Sequence, residues 1–345
     1  MLYVTTRSNQ DAFTPQRVLC DNRASDGGLY VPFQEPQFSD EIIAELMERS
    51  FGECVACVLN KLFRTRLSSW DIELAAGRYF VRLKKIGQRT IVAECWHNLE
   101  SDFQQVCRNL TKLLRSDKNC ANEPGDWTVI AIRVAVLFGI FSELMRAGVA
   151  GKEIPVDVSV VSGDFSVPLS VWYARKWGLP VGNVVCCCNE NGTLWDFICH
   201  GQLRTDGVAK KTVIPDADVV IPVSLERLIY YYGGTEEVNR YLEAVRRGVS
   251  YYMDDKMLHS LREGIFVSVN SERRILSTIP AVYATRKYLL SPYEALAYSG
   301  LQDYRSRKKE NKMALIFAEK SPTHNIESIA AAMGVSEKEI RKLMD

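Results

Sequence analysis

Cys54 and Cys57 stand two residues apart, the spacing of a redox dithiol or of half a zinc site. They fall inside an apolar run of helical period, Phe51 to Phe63, and no second pair follows at zinc-site distance, so core thiols are the better reading. His97, His200, His259 and His324 are too scattered to propose a ligand set, and no metal is expected. Ten cysteines, three of them consecutive at Cys186, Cys187 and Cys188, fit the reduced thiols of a cytoplasmic protein better than disulfides. Near the C-terminus, Ile329 to Leu343 carries the Gly-Val-Ser turn of a helix-turn-helix, which would mean DNA binding. Its second helix mixes Glu337 and Glu339 with Lys338, Arg341 and Lys342, a poor match to a polyanion, so packing onto the main body is the preferred expectation.

Bulk composition narrows the classes further. Lysine and arginine total 43 against 42 acidic residues, so a net charge of +1 gives no overall field for nucleic acid or an anionic membrane, although local patches remain open. With 47% hydrophobic and 25% charged residues over 345 positions, the chain reads as a folded protein of two lobes. Met1 leads into polar residues without an apolar signal core, which points to the cytoplasm. The apolar stretch Val129 to Leu144, interrupted by Arg133 and Ser142, is short for a bilayer span and reads as a buried helix.

The elements that must position any site follow from periodicity. Residues 1–75 form an N-terminal helical module, in which Gly27-Gly28 turns into Leu29-Tyr30-Val31-Pro32 and Ser39-Asp40 opens a helix. Tyr79 to Leu83 and Thr90 to Glu94 alternate like strands, and Asn98 to Leu114 is an amphipathic helix. Beyond the long helix ending at Met145, strands Val156 to Val161 and Asn183 to Cys188 alternate with helices Pro168 to Trp177 and Thr193 to His200. Val219 to Val223 reads as a further strand, Leu225 to Tyr232 and Glu236 to Gly248 as helices, Tyr288 to Tyr304 as a helix and Met313 to Ala318 as a buried strand. Such alternation implies an α/β fold of three layers around a mainly parallel sheet, spanning 76–320, with 321–345 as C-terminal helices. The turn Ser162 to Ser166 should join a core strand to the helix containing Trp172 and Tyr173, and a pocket should border it.

Three ordered blocks then carry a resemblance. Val160 to Pro180, V-V-S-G-D-F-S-V-P-L-S-V-W-Y-A-R-K-W-G-L-P, followed by C-N-E-N-G-T-L at 188–194, resembles threonine synthase, a pyridoxal-phosphate enzyme of the tryptophan-synthase-β-like type. Pro215 to Leu228, P-D-A-D-V-V-I-P-V-S-L-E-R-L, and Val282 to Ala297, V-Y-A-T-R-K-Y-L-L-S-P-Y-E-A-L-A, are similar to later blocks of that family, and Asp26 to Pro32 resembles its opening.

The resemblance implies a Schiff-base lysine, a glycine-rich phosphate loop and a hydroxyl beside the pyridine nitrogen. In this chain Gly87 passes almost directly into the strand from Thr90, so the lysine-bearing lobe is truncated near 88–90 and the second lobe is reduced. Lys84 and Lys85 are the nearest substitutes, and solvated strand lysines is the plainer reading of both. The family's phosphate loop becomes Ser162-Gly163-Asp164-Phe165-Ser166, where Asp164 would oppose a phosphate or cap the following helix, and Ser166 adds a β-carbon where positive φ could be required. Glu319 takes the place of the threonine near the ring, Tyr293 that of a histidine, and Asn189 and Asn191 complete a vestigial cleft.

The reading that follows is a threonine-synthase-like protein without pyridoxal catalysis, with no cofactor, retained for a small molecule or a protein partner. The alternative is an active threonine synthase that binds pyridoxal phosphate through Lys84 or Lys85. A DNA-binding regulator built on the C-terminal helices ranks last, with nucleic acid and membrane not expected as partners.

Overall fold

The computed structural model describes residues 1–78, 80–97, 102–115, 123–309 and 311–344. Six strands form one sheet in the order Arg82–Lys85, Thr90–Glu94, Ala314–Ala318, Val156–Val161, Val181–Cys188, Ile265–Val269. Every neighbouring pair is parallel except the first, where Arg82–Lys85 runs antiparallel to Thr90–Glu94. Val156–Val161 and Ala314–Ala318 are buried at nearly every position, Asp157 and Ser159 included, because helices cover both faces of a parallel sheet.

Alternate residues of each strand enter different cores. Val158, Val160, Cys186, Cys188, Leu315 and Phe317 pack with the helices Phe51–Phe63, Trp127–Arg146 and Ser166–Lys176. Val185, Cys187, Ala314, Ile316 and Ala318 pack on the other face with Glu272–Arg286, Pro292–Lys308 and Ile326–Met333. These are the three layers and the mainly parallel sheet that the alternation implied.

Local sequence sets the element ends. Ser50 and Glu53 form a reciprocal capping box at Phe51–Phe63, and Ser39 caps Asp40–Met47. Trp127–Arg146 is capped by Asp126 and ends one residue beyond Met145. At 20 residues it is long and apolar enough to cross a bilayer, which corrects the length argument made from Val129 to Leu144, but 89% of its most apolar window is buried inside the fold. It is the core helix.

Several boundaries differ from the sequence expectation. Val219 to Val223 forms no strand; Pro222 withholds the N–H a ladder needs, and the segment runs irregularly into the helix at Leu225. The sheet's last parallel strand is instead Ile265–Val269, too short to signal itself. Tyr288 to Ser291 is not helical: one helix ends at Arg286 and the next starts at Pro292, where Ser291 and Glu294 form a capping box. The helix expected from Asn98 begins at Phe103, with 98–101 outside the described residues, and the strand expected from Tyr79 is found at Arg82–Lys85, Tyr79 also lying outside them. Leu225–Arg247 breaks at Gly234, whose φ of 68° lets two helices meet at an angle. The C-terminal helices Ile326–Met333 and Glu337–Met344 bury Ile326, Ile329 and Ile340 against the body.

Gly300 lets the helix Pro292–Lys308 press onto the sheet, since a β-carbon there would stand 2.2 Å from Cys187 Sγ. Gly300→Ala should destabilise the protein by about 1–3 kcal/mol through overpacking, and adding Cys187→Ala should recover most of that loss in urea denaturation.

Candidate functional site

The carboxyl ends of Val156–Val161 and Ala314–Ala318 open onto a cavity of about 700 Å³, walled by Val161, Val129, Phe317, Pro215, Val219 and Ala297. Open α/β sheets place ligands in this position, and the volume suits a small molecule. Two buried polar networks build its floor and flank.

The first network starts at Arg133, the charge that interrupts the apolar core helix. Its Nε and Nη2 donate to the two oxygens of Glu319 at 2.6 and 3.1 Å, and its Nη1 donates to Ser166 Oγ at 3.2 Å. Burial alone would lower the Arg133 pKa, but the Glu319 carboxylate outweighs it and holds the guanidinium charged. Asp164 Oδ1 accepts the Ser166 N–H at 3.0 Å and also the Ser166 hydroxyl, so a carboxylate already occupies the first exposed donor of the helix Ser166–Lys176. The turn is made by Gly163 at φ 46° and Phe165 at φ 68°. Positive φ therefore falls on Phe165 rather than on Ser166, and its buried ring compensates for the left-handed backbone.

Lys320 adds a second charged cluster. Its Nζ lies 2.8 Å from Asp102 and 3.3 Å from Asp216, and 6.0 Å from the Tyr293 ring. Burial pulls the Lys320 pKa down, yet the bond to Asp102 and the Asp216 charge leave it raised, so this amine stays protonated.

The second network joins Arg82, Glu94, Tyr288 and Glu294. Arg82 donates to Glu94 at 2.5 Å, and the Tyr288 hydroxyl stands 2.9 Å from Glu94 and 3.3 Å from Glu294. One phenolic hydrogen cannot serve two carboxylates. Arg82 pairs with Glu94, and Glu294 is the carboxyl whose surroundings favour the neutral form. Burial first, and the Glu94 charge after it, push Glu294 from 4.5 to about 8, against the pull of the Ser291 backbone bond.

The cavity gathers Gly163, Asp164, Ser166, Tyr293 and Glu319. Ser162 and Phe165 lie in the same turn but are buried behind it. Lys84 and Lys85 are not at the cavity: they are exposed on the sheet's edge strand, facing Val92 and Ile91 in register. Asn189 and Asn191 are also displaced, because both amides are spent on Asp218, Thr212 and the Lys210 carbonyl, tying down the loop after Leu203. Sequence reasoning missed Arg133 as a site residue, although a lone charge in an apolar helix was its signal, and it missed Lys320, Asp102 and Glu294, which carried none.

Residues 2–77 match the family described as threonine synthase N terminus. Human threonine synthase-like 1 is 28% identical over 301 residues, taking in 74% of this chain and 40% of that protein, so the chain spans less than half of that relative's length. Threonine synthase of Pseudomonas aeruginosa is 20% identical over 405 residues, covering 88% of this chain and 85% of that enzyme. That alignment is longer than the 345 residues available, so it steps over stretches of the enzyme with no counterpart here. In fold, the pyridoxal-phosphate-bound threonine synthase of Brucella melitensis superposes with a TM-score of 0.84 at 18% identity, over 97% of this chain and 92% of that one.

Two outcomes follow from the networks. Removing one partner of the Arg133–Glu319 pair strands a buried charge, so Arg133→Met should cost about 3–5 kcal/mol in chemical denaturation, and adding Glu319→Leu should restore much of it. Between pH 4.5 and about 8 the native protein holds a proton on Glu294 that the unfolded chain has released. Stability should therefore fall as pH rises through that window, and Glu294→Gln should flatten the dependence of the urea midpoint on pH.

Proposed function

Because the chain is kin to the threonine synthases in sequence and shares their fold, we propose that it is a threonine-synthase-like protein whose cavity has given up pyridoxal phosphate and serves another small molecule. The observation that carries this reading is the filling of the anion-binding positions by the chain's own carboxylates. Asp164 sits on the helix N-terminus that would cradle a phosphate, and Glu319 takes the guanidinium of Arg133 beside it. A dianion placed there would meet Asp164 at contact distance, where a like-charge pair costs around 4 kcal/mol even at an effective dielectric of 20.

Three candidate lysines do not fit the cofactor either. A Schiff-base lysine must reach a neutral amine, whereas Lys320 is clamped between Asp102 and Asp216, and Lys84 and Lys85 point away from the cavity on an exposed edge. The hairpin from Arg82–Lys85 through Gly87 to Thr90–Glu94 replaces the segment in which the family carries that lysine. Lys112, on the helix Phe103–Leu114, also lines the cavity and is the lysine left to an active threonine synthase.

What remains is a chamber with apolar walls in which Arg133 and Lys320 are answered by the chain's own carboxylates while Arg108 and Lys112 also line it, suited to a small molecule rather than a phosphate cofactor at the Asp164 turn. Titrating the purified protein with pyridoxal phosphate should produce no saturable absorbance band above about 400 nm of the kind an internal Schiff base gives. A stoichiometric band that borohydride abolishes, with the reduced adduct mapped to one lysine whose replacement by alanine removes it, would overturn the reading.

A further inference from the structure

At the other end of the sheet, where the parallel strands begin, three segments distant in sequence converge. Arg89 donates to the Asn311 carbonyl, while Arg305 donates to the Arg89 carbonyl at 2.5 Å and to Thr90 Oγ1 at 3.0 Å. The Arg286 guanidinium stands 3.7 Å from the place of a β-carbon on Gly87. Lys84 and Lys85 lead into this hairpin, and Lys308 and Lys309 end the helix Pro292–Lys308 beside it.

Lys84, Lys85, Arg89, Arg286, Lys308 and Lys309 are all exposed, and none has an ion-pair partner among the described residues. Some cations elsewhere on the surface are matched, as in Lys152–Asp40, Arg246–Glu243 and Arg341–Glu337, and those without a partner, such as Arg66, Lys256 and Lys338, stand apart in the sequence rather than in one cluster of six. Glu310, the acid within the basic run of residues 305–312, lies outside the described residues. Burial and then the neighbouring Arg89 charge lower the Arg305 pKa, with Asp157 and two tyrosines opposing them. The helix dipole accounts for Lys308 and Lys309 taken singly. It does not account for the same helix docking through Arg305 on the turn of a hairpin that carries Lys84, Lys85 and Arg89.

We propose that this face binds the phosphate backbone of a nucleic-acid duplex without reading its sequence. Ile154, exposed two residues before the strand Val156–Val161, is a large apolar side chain at this end of the sheet, but that strand lies across Ala314–Ala318 from the hairpin, whose own apolar residue Ile86 is buried. A bilayer surface calls for an inserted apolar face, a single strand for stacking aromatics, and a protein partner for an apolar anchor. The convergence offers charge alone, which is what a duplex backbone, with one phosphate charge per ~1.7 Å of axis, can meet. The inference is independent of the cavity and of the C-terminal helices.

The test is fluorescence anisotropy of the full chain with a labelled duplex of ~20 base pairs at about 50 mM salt, repeated up a salt series. Binding should weaken with salt at a logarithmic slope of about −4 to −5, as for five or so phosphate contacts. Lys308→Gln with Lys309→Gln should weaken binding roughly tenfold and reduce the slope by about 2. Lys152→Gln with Arg246→Gln, remote and already paired with acids, should leave both unchanged. No duplex binding at the lowest salt would overturn the proposal, as would a slope unaltered in the Lys308 and Lys309 variant. So would tighter binding to the single strand, to phosphatidylserine vesicles or to polyglutamate than to the duplex.

Discussion

Arg133 reaches out of a helix that is otherwise almost wholly apolar, and its guanidinium, buried at the mouth of the sheet, must be met by an anion. Glu319 meets it from just beyond the strand Ala314–Ala318, and Ser166 from the start of the helix that follows Val156–Val161. One side chain thus pins the core helix, a central strand and the neighbouring strand-to-helix turn at the place where parallel strands leave a crevice. The geometry of the cavity depends on that knot. Without it the crevice would hold an uncompensated charge in a low-dielectric wall, a cost that few local rearrangements could offset.

The same constraint shapes the chemistry available there. An arginine and a helix N-terminus are ready anion sites, and both are already answered by carboxylates of the chain itself. Lys320 is answered by Asp102 and Asp216, and Glu94 by Arg82. Burial, with the Glu94 charge behind it, drives Glu294 toward its neutral form. The chamber answers Arg133 and Lys320 from within, whereas Lys84, Lys85, Arg89, Lys308 and Lys309, around the hairpin at the other end of the sheet, have no ion-pair partner among the described residues. Opposite ends of one sheet therefore present different chemistry, although the chain as a whole is close to neutral.

Much of this was written in the sequence in a form that short-range physics makes legible. The valine-rich strand Val156–Val161, the continuous apolar strand Ala314–Ala318, the capping serines at Ser39 and Ser50, and the glycine turn at Gly163 each declare themselves within a few residues. The strand Ile265–Val269 and the irregular run at 219–223 were misjudged because five-residue apolar segments look alike until the sheet has chosen its neighbours.

What only the tertiary structure decided is which polar groups meet. Arg133 and Glu319 are 186 residues apart, and Glu94 and Tyr288 are 194 apart, so no local pattern couples them. Asn189 and Asn191, which the family motif suggested for the cleft, are drawn instead to Asp218, because a buried amide goes to whichever partner the folded loop brings within reach. Hydrophobic period and turn chemistry are properties of neighbouring residues and survive in the sequence; charge compensation is a property of burial and exists only once distant segments have been packed together.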